Sequence, residues 1–487
     1  MNIALIVPYT EKTGNVARDL VYGCWCKGGR IGGPSFPPMP LLHVAGLLNR
    51  TGYNTRLVDA QALGLTLSQT QDMIRDCQVG IMLTSTTTLN DDCAYFQALK
   101  SANPDLVTMA FGGHVTAEPE STLTDPRRVG AIDILVRREA EWIIRDVVQA
   151  LDQGGGEEWR NVPGIAYLND AGECVVNPNY PLCENLDELP IPDRTLLNPD
   201  HYFNPIVRTT PFTTMFTSRG CPGRCVFCAS PYFYGRVERA MSSERVLEEI
   251  EACTNLGYRE IFFRDENFTT SEKRVRDICE GILQRNLDIS WTCSSRVTHL
   301  QPELLKMMRR AGCHTVRMGV ESGNDEILKR IGKGTETDLI RRVFTWTKEA
   351  GIRSHAHMMI GLPGDTRQTL DKTIAFISEI KPSLVTYGIL TAYPGTPLFE
   401  SLRKKCPEIG DGTDIDLTSL HTQPLFNQAF CSLTNDELTW YVRHAYRSFY
   451  FRPGYIWERM KDVRDLGQLK RYAKAGIKVL RFASGGE

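Results

Sequence analysis

From Thr213 to Leu390 the sequence repeats one unit, a short buried-type strand followed by an amphipathic stretch of helical length. The strands predicted are Thr213–Thr217, Glu260–Phe263, Ser290–Thr292, Thr315–Val320, Ser354–Ile360 and Val385–Leu390. Between them fall helices such as Ser243–Leu256, Glu272–Gln284, Pro302–Ala311 and Thr337–Ala350. Six regular β/α units imply a parallel, barrel-like sheet, a partial (β/α)6 barrel, with its chemistry at the carboxyl ends of the strands.

A second alternating series precedes this one. Ile3–Val7, Thr55–Asp59, Val79–Thr84, Leu106–Phe111 and Ile132–Val136 read as strands, and Leu41–Thr51 as a helix closed by Gly52. This pattern predicts a doubly wound parallel sheet whose ligand sits at the strand ends, where Ser85–Thr88 and Gly112-Gly113-His114 fall. The expected organisation is a Rossmann-type domain over residues 1–150, a linker over 151–205 opened by Gly154–Gly156 and containing a short hairpin at Gly164–Val176, the barrel over 206–404, and a helical region over 405–487. The fold class is therefore α/β throughout, with a helical end.

At 487 residues the chain can bury a large core. With 42% hydrophobic and 23% charged residues it reads as globular, and a net charge of −2 provides no global attraction to nucleic acid. It opens directly on a strand, without a signal peptide or an apolar run of membrane-spanning length, so a cytoplasmic location is expected. Fifteen cysteines in so long a chain suit metal binding or burial better than a disulfide scaffold.

Three of them stand immediately after the first barrel strand, in Ser218-Arg219-Gly220-Cys221-Pro222-Gly223-Arg224-Cys225-Val226-Phe227-Cys228. Thiolates at C-x3-C-x2-C spacing reach three corners of one iron–sulfur cube and leave the fourth iron open to an exogenous ligand. Zinc would require a fourth Cys or His nearby, and none occurs in the next twenty residues. The motif, including the aromatic Phe227, resembles the signature of radical S-adenosylmethionine (SAM) enzymes. That resemblance implies a [4Fe–4S] cluster on Cys221, Cys225 and Cys228, with SAM chelated to the open iron. It also implies cofactor contacts from later strand ends: Asp265 and Glu266, Arg296, Glu321 and Ser322 near the ribose and methionine, and Gly361 and Pro363 near the adenine, together with Phe227.

The first 150 residues resemble the cobalamin-binding domain found upstream of many such barrels. The resemblance rests on Pro37-Pro38-Met39-Pro40, Gly52–Asp59, Thr84–Thr88 and Phe111–Thr116. It implies corrin contacts from Ser85, Thr86, Thr87, Gly112, Gly113 and His114, the hydroxyls serving the nucleotide tail and the glycines permitting close backbone approach. The Asp-x-His-x-x-Gly motif is absent, because Val115-Thr116-Ala117 follows His114, so His114 is not expected to ligate cobalt. A nucleotide-binding Rossmann reading fails on Tyr9–Gly14, which lacks Gly-x-Gly-x-x-Gly. Cys24-Trp25-Cys26 is too closely spaced for a thioredoxin-type pair and reads as a loop or packing element.

Leu433–Leu438 signals a helix start, running into the aromatic stretch Tyr446–Pro453. This segment resembles the C-terminal region of the subgroup holding the anaerobic magnesium-protoporphyrin ester cyclase and the hopanoid-associated radical enzymes, and is expected to cap the barrel mouth. The basic tail beyond it suits a membrane surface, although a solvated helix face is the plainer reading. The resemblance implies a cobalamin-dependent radical SAM methyltransferase, acting on an unactivated carbon of a small-molecule, natural-product or lipid substrate and reduced by a flavodoxin or ferredoxin. A radical cyclase, ring-contracting or other carbon-skeleton enzyme is the alternative. An RNA methylthiotransferase lacks its extra cysteine trio and RNA-binding barrel here, and a corrinoid or redox sensor would not need six strand ends around an open iron.

Overall fold

The computed structural model describes residues 1–14, 16, 35–154, 156–414, 424, 426–461, 463 and 466–483. Cys24 and Cys26 lie outside the described residues.

The first sheet has seven strands: β1 (Asn2–Val7), β2 (Asn54–Asp59), β3 (Val79–Leu83), β4 (Val107–Phe111), β5 (Ile134–Val136), β6 (Ile165–Leu168) and β7 (Cys174–Val176). Their spatial order is β2-β1-β3-β4-β5-β6-β7. The first five are parallel, while the hairpin β6–β7 adds antiparallel to β5. Continuously buried strands such as β3 must be covered on both faces. One face packs on α1 (Met39–Arg50) and, later in the chain, on α7 (Ala140–Gly154). The other carries α3 (Leu67–Met73) and α4 (Leu89–Ala102), with the short α2 (Ala60–Leu63), α5 (Gly113–Ala117) and α6 (Pro119–Thr124) at strand ends. Chain order reverses between β1 and β3, the switch point at which such sheets bind ligands.

The second sheet is parallel throughout. Its strands are β8 (Phe212–Met215), β11 (Glu260–Phe263), β12 (Ser290–Ser295), β13 (Cys313–Glu321), β14 (Arg353–Ile360) and β15 (Leu384–Ile389), in that spatial order. A two-stranded ribbon, β9 (Ser218–Arg219) and β10 (Arg239–Ala240), frames the cysteine loop. Around the sheet run α8 (Ser230–Tyr234), α9 (Ser243–Asn255), α10 (Glu272–Gln284), α11 (Pro302–Arg310), α12 (Asp325–Arg330), α13 (Thr337–Glu349), α14 (Arg367–Ile380) and α15 (Pro397–Lys405). All but α13 start on a cap or Pro signal, for example Ser242 accepting from Arg245 N and Ser271 from Arg274 N. β8 and β15 do not pair, so the barrel is open.

The last helices are α16 (Asn435–Tyr450), α17 (Pro453–Lys461) and α18 (Leu466–Ala483). The helix α16 runs along the barrel's free edge from the carboxyl ends, where Leu438 lies against Gly361, and α17 and α18 pack with it towards the amino ends; of these three helices only α16, through Tyr446, reaches the cluster cavity. The physical reason is the unpaired edge of β15. The Tyr450 hydroxyl donates to Val385 O at 2.6 Å and accepts from Val385 N, and the Tyr446 hydroxyl makes the same pair of bonds to Tyr387. Two tyrosines one helical turn apart thus satisfy backbone groups that no strand reaches.

Candidate active site

The cysteine loop follows β8 by way of Thr217, whose N–H and hydroxyl both donate to Asp265, at 2.6 and 2.5 Å. Asp265 is fully buried, and burial raises its pKa against the pull of Arg274. It anchors the root of the loop and does not line the cavity. Two residues before the first cysteine, Arg219 makes a 2.5 Å ion pair with Glu141 of α7, and Arg239 makes another with Glu139. The root of the loop is thereby fastened to the first sheet's helical layer.

Cys221, Cys225 and Cys228 line one cavity of about 310 Å³ at the strand ends. No group of three His, Cys, Asp or Glu side chains among the described residues suits a single metal ion. Three thiols on one cavity are the donor type that an iron–sulfur cluster takes. Donors stand ready for the sulfurs: Gly223 N–H lies 3.4 Å from Cys221 Sγ and Arg296 Nη1 3.6 Å from Cys225 Sγ. Burial pushes the Cys228 thiol up to about 12 and raises Cys221 as well, so both stay protonated until a metal ligates the sulfur and displaces the proton.

Across the cavity, Glu321 and Lys333 form a 2.7 Å ion pair, both side chains buried. Glu321 ends β13 at a register shift against β14, with φ +68°, a backbone strain that non-glycine residues accept only where surrounding structure enforces it. Gly319 leaves room for the pair: a Cβ there would strike the Glu321 carboxylate and lie 2.6 Å from Lys333 Nζ. Arg296 also donates to Lys333 O, which ties the third strand end to the fourth.

Of the residues expected here, Phe227, Glu266, Arg296 and Glu321 line the cavity with the cysteines. Ser322 instead bonds Thr373 of α14 at 3.2 Å, and Gly361 offers its carbonyl to Asn427. Neither they nor Pro363 is among the lining residues. Sequence reasoning missed Arg317, Lys333 and His357. Arg317 Nε donates to His357 Nε2 at 3.1 Å, and His357 stacks on His355 at 4.4 Å. A signal existed: Thr315-x-Arg317-x-Gly319 and Arg353-x-His355-x-His357 place polar residues at every second position of apolar strands, which aims them at the barrel interior.

At the first sheet the expected residues gather at the ends of β3 and β4. The Ser85 hydroxyl lies 3.2 Å from that of Thr87 and 3.0 Å from that of Thr88. Gly112, at φ +142°, packs so tightly on Thr84 that a Cβ would strike its carbonyl oxygen, and Gly113 opens α5. His114 is buried, with Nδ1 3.1 Å from Thr86 Oγ1 and Nε2 3.8 Å from Asp411 Oδ2. Burial lowers its pKa. Asp411, which follows α15, is itself held at 2.9 Å by Arg128, so a strap from beyond the barrel lies over the platform.

Residues 215–377 match the family model of the radical SAM superfamily. An uncharacterized methyltransferase of Pyrococcus horikoshii is 34% identical over 470 residues, covering 95% of each chain. The anaerobic magnesium-protoporphyrin IX monomethyl ester cyclase of Rubrivivax gelatinosus is 28% identical, covering 92% of this chain and 81% of the relative. The fold matches the cobalamin-dependent S-adenosylmethionine radical enzyme OxsB with aqua-cobalamin and S-adenosylmethionine bound, with a TM-score of 0.70 at 18% identity over 99% of this chain and 72% of that one.

Proposed function

This chain belongs to the radical SAM superfamily, and from that membership we propose that it is a cobalamin-dependent methyltransferase acting on an unactivated carbon of a small molecule or lipid. The observation that carries the reading is the pairing of two strand-end surfaces in one chain. A three-thiol cavity in the barrel is locked through Arg219 and Glu141 to a sheet of corrin-binding topology. The methyltransferase relative and the cobalamin-bound neighbour support it.

When bound, the cluster and SAM supply a hydrogen-abstracting radical and the corrin a methyl carrier able to meet a carbon radical. The protein's part is placement. Cys221, Cys225 and Cys228 hold three corners of the cluster, and Arg296 sets a cation beside Cys225. Glu321, fixed by Lys333, presents a carboxylate to the polar end of SAM, with Glu266 beside it. Phe227, Met358, Ile389 and Leu390 exclude water from the reacting centre. On the first sheet, Ser85, Thr86 and Thr87 would offer hydroxyls to a corrin, Gly112 and Gly113 would let it approach the backbone, and His114 would stay with its protein partners. Among the described residues no helix is long and apolar enough to cross a membrane; a cytoplasmic location and reduction by flavodoxin or ferredoxin are part of the same proposal.

The test is a labelling experiment. Reconstituted enzyme, hydroxocobalamin, reductant and methyl-deuterated SAM are incubated with metabolite extracts. A product carrying the deuterated methyl group, with 5′-deoxyadenosine and S-adenosylhomocysteine formed in equal amounts, is expected. The cyclase relative favours a second reading, carbon-skeleton chemistry on the same cofactors. A turnover product without label would establish that reading and overturn methylation.

A further inference from the structure

Beneath the cluster cavity lies a second and larger one, of about 480 Å³, which the reading above does not use. It occupies the amino-terminal half of the open barrel. One wall is barrel, with Phe262 of β11, Arg317 of β13, and Arg353 and His355 of β14. The other is formed by α16, α17 and α18. The two cavities share Arg317, Thr386 and Tyr446, so they meet at a common wall.

Three features of this chamber point to a ligand. First, apolar side chains that look misplaced on the surface face into it. Phe451 is 43% exposed, Ile456 52%, Met460 55% and Leu480 47%, and all four line the chamber. Apolar groups gathered around one concave space are left wet unless an apolar molecule covers them. Second, α18 is tailored to leave room. Leu469, Ala473, Gly476 and Leu480 fall on one helical face toward the chamber, and a Cβ at Gly476 would meet no atom within 4 Å. Third, the chamber's charge has one sign. Arg317, Arg353 and Arg459 line it, with Arg353 also donating to the Tyr472 hydroxyl and Ile206 O and Arg317 to His357, and no Asp or Glu is among its described lining residues. His355 is 5% exposed, with Nε2 2.8 Å from Thr386 Oγ1 and Nδ1 without a protein partner. Burial and the neighbouring Arg317 and Arg353 keep that imidazole neutral, so it adds a hydrogen-bonding edge rather than a charge.

We propose that this chamber holds the body of the substrate, and that the substrate is an amphiphilic acid, a ring- or chain-built hydrocarbon bearing a carboxylate. The apolar helices take the hydrocarbon, the guanidinium groups attract the acid, and the molecule's other end passes Arg317, Thr386 and Tyr446, which border both cavities, into the cluster cavity. The substrate assignment rests on the upper cavity being the radical site; the binding itself does not.

The test is therefore made without turnover. The full chain is titrated with cis-parinaric acid, whose fluorescence rises on transfer to an apolar site, and with its methyl ester. The acid is expected to bind saturably at one site per chain, and more tightly than the ester. Gly476→Trp fills the chamber and should weaken binding by about tenfold or more, since it removes the apolar contact area. A helix-interior glycine with open space at its Cβ accepts this change, and Ala473→Phe serves as a second filling variant, with cluster iron content reporting that each remains folded. Trp457→Ser alters a 64% exposed side chain outside the chamber and should leave binding unchanged. Parent-like binding in both filling variants, or loss of binding in Trp457→Ser, would overturn the chamber. Equal affinity for acid and ester would overturn the carboxylate. Binding that behaves as expected in an enzyme that fails to methylate anything would leave the chamber standing and reject only the proposed reaction.

Discussion

At the barrel's strand ends, Arg296, Glu321 and Lys333 crowd round an open cavity; at the first sheet's strand ends, Ser85, Thr87 and Thr88 hydrogen-bond to one another and His114 turns inward. Both surfaces stand at the carboxyl ends of parallel strands, and both use a glycine to let groups approach closely. They differ in what satisfies their polar groups. In the barrel, charge and thiols face a space where a cofactor completes them. In the first sheet, local bonds engage most of them and the Asp411 strap stands 3.8 Å from His114 Nε2, and the surface offers shape and backbone rather than charge. A cluster needs covalent donors at fixed corners, whereas a corrin held without a protein ligand to cobalt needs a close-fitting platform.

The largest effect expected from this contrast is at the thiols. Replacing Cys221, Cys225 and Cys228 together by Ala should abolish cluster iron and reduce SAM cleavage to background, by several orders of magnitude. Iron analysis after anaerobic reconstitution decides it, and a full complement of iron in the triple variant would place the cluster elsewhere. Equivalent loss of corrin, read after desalting, is not expected, because the first sheet keeps its own core.

Next comes the buried pair. Lys333→Met leaves the Glu321 carboxylate buried without its partner, a loss of roughly 3–5 kcal/mol for such pairs. Urea unfolding should show it, and adding Glu321→Gln should return much of it. A loss below about 1 kcal/mol would mean that the pair behaves as an exposed one.

On the platform, Gly112→Ala should cost roughly 1–3 kcal/mol, from an unfavourable φ and a collision with Thr84. It should also release the corrin while leaving cluster iron intact. Iron loss in this variant would show that the two surfaces are not separable.

The smallest effect is the pH dependence set by His114. Its folded pKa lies below the ordinary 6.5, so acid protonates the unfolded chain first. Stability contributed by the neutral ring is present above about pH 6.5 and is lost as pH falls below it. Asp411, held low by His114, Thr413 and Arg128, loses its contribution only further down. His114→Asn should therefore remove one share of the stability lost between pH 7 and 5, measured by unfolding at each pH, and leave the shares of the other buried histidines, His43, His314, His355 and His357. His355, also lowered by burial, makes the same contribution in the barrel, so its Asn variant gauges how local the effect is.

Much of this molecule was legible before any coordinates. Glu260–Phe263 and Glu272–Gln284 are strand and helix with the limits predicted, because their apolar period and their caps agree. The cysteine motif was legible because covalent spacing is a property of sequence alone. Lys333 was not, since it reaches Glu321 only after a helix has turned the chain back across the strand end. Arg317 and His357 were half legible: alternation aims them inward, but nothing local pairs Nε of one with Nε2 of the other. The hairpin at 165–176 was read as a hairpin, yet only the free edge of β5 determined that it would extend the first sheet.

The sequence by itself determined the elements, their parallel order and the three thiols, because periodicity, caps and short-range spacing act within a few residues. Tertiary structure alone decided where the C-terminal helices lie. The strand β15 has unpaired backbone groups that must be satisfied, Tyr446 and Tyr450 can reach them, and those hydroxyls draw α16 along the barrel's free edge. That choice encloses the apolar chamber, a space no single segment of the sequence encodes.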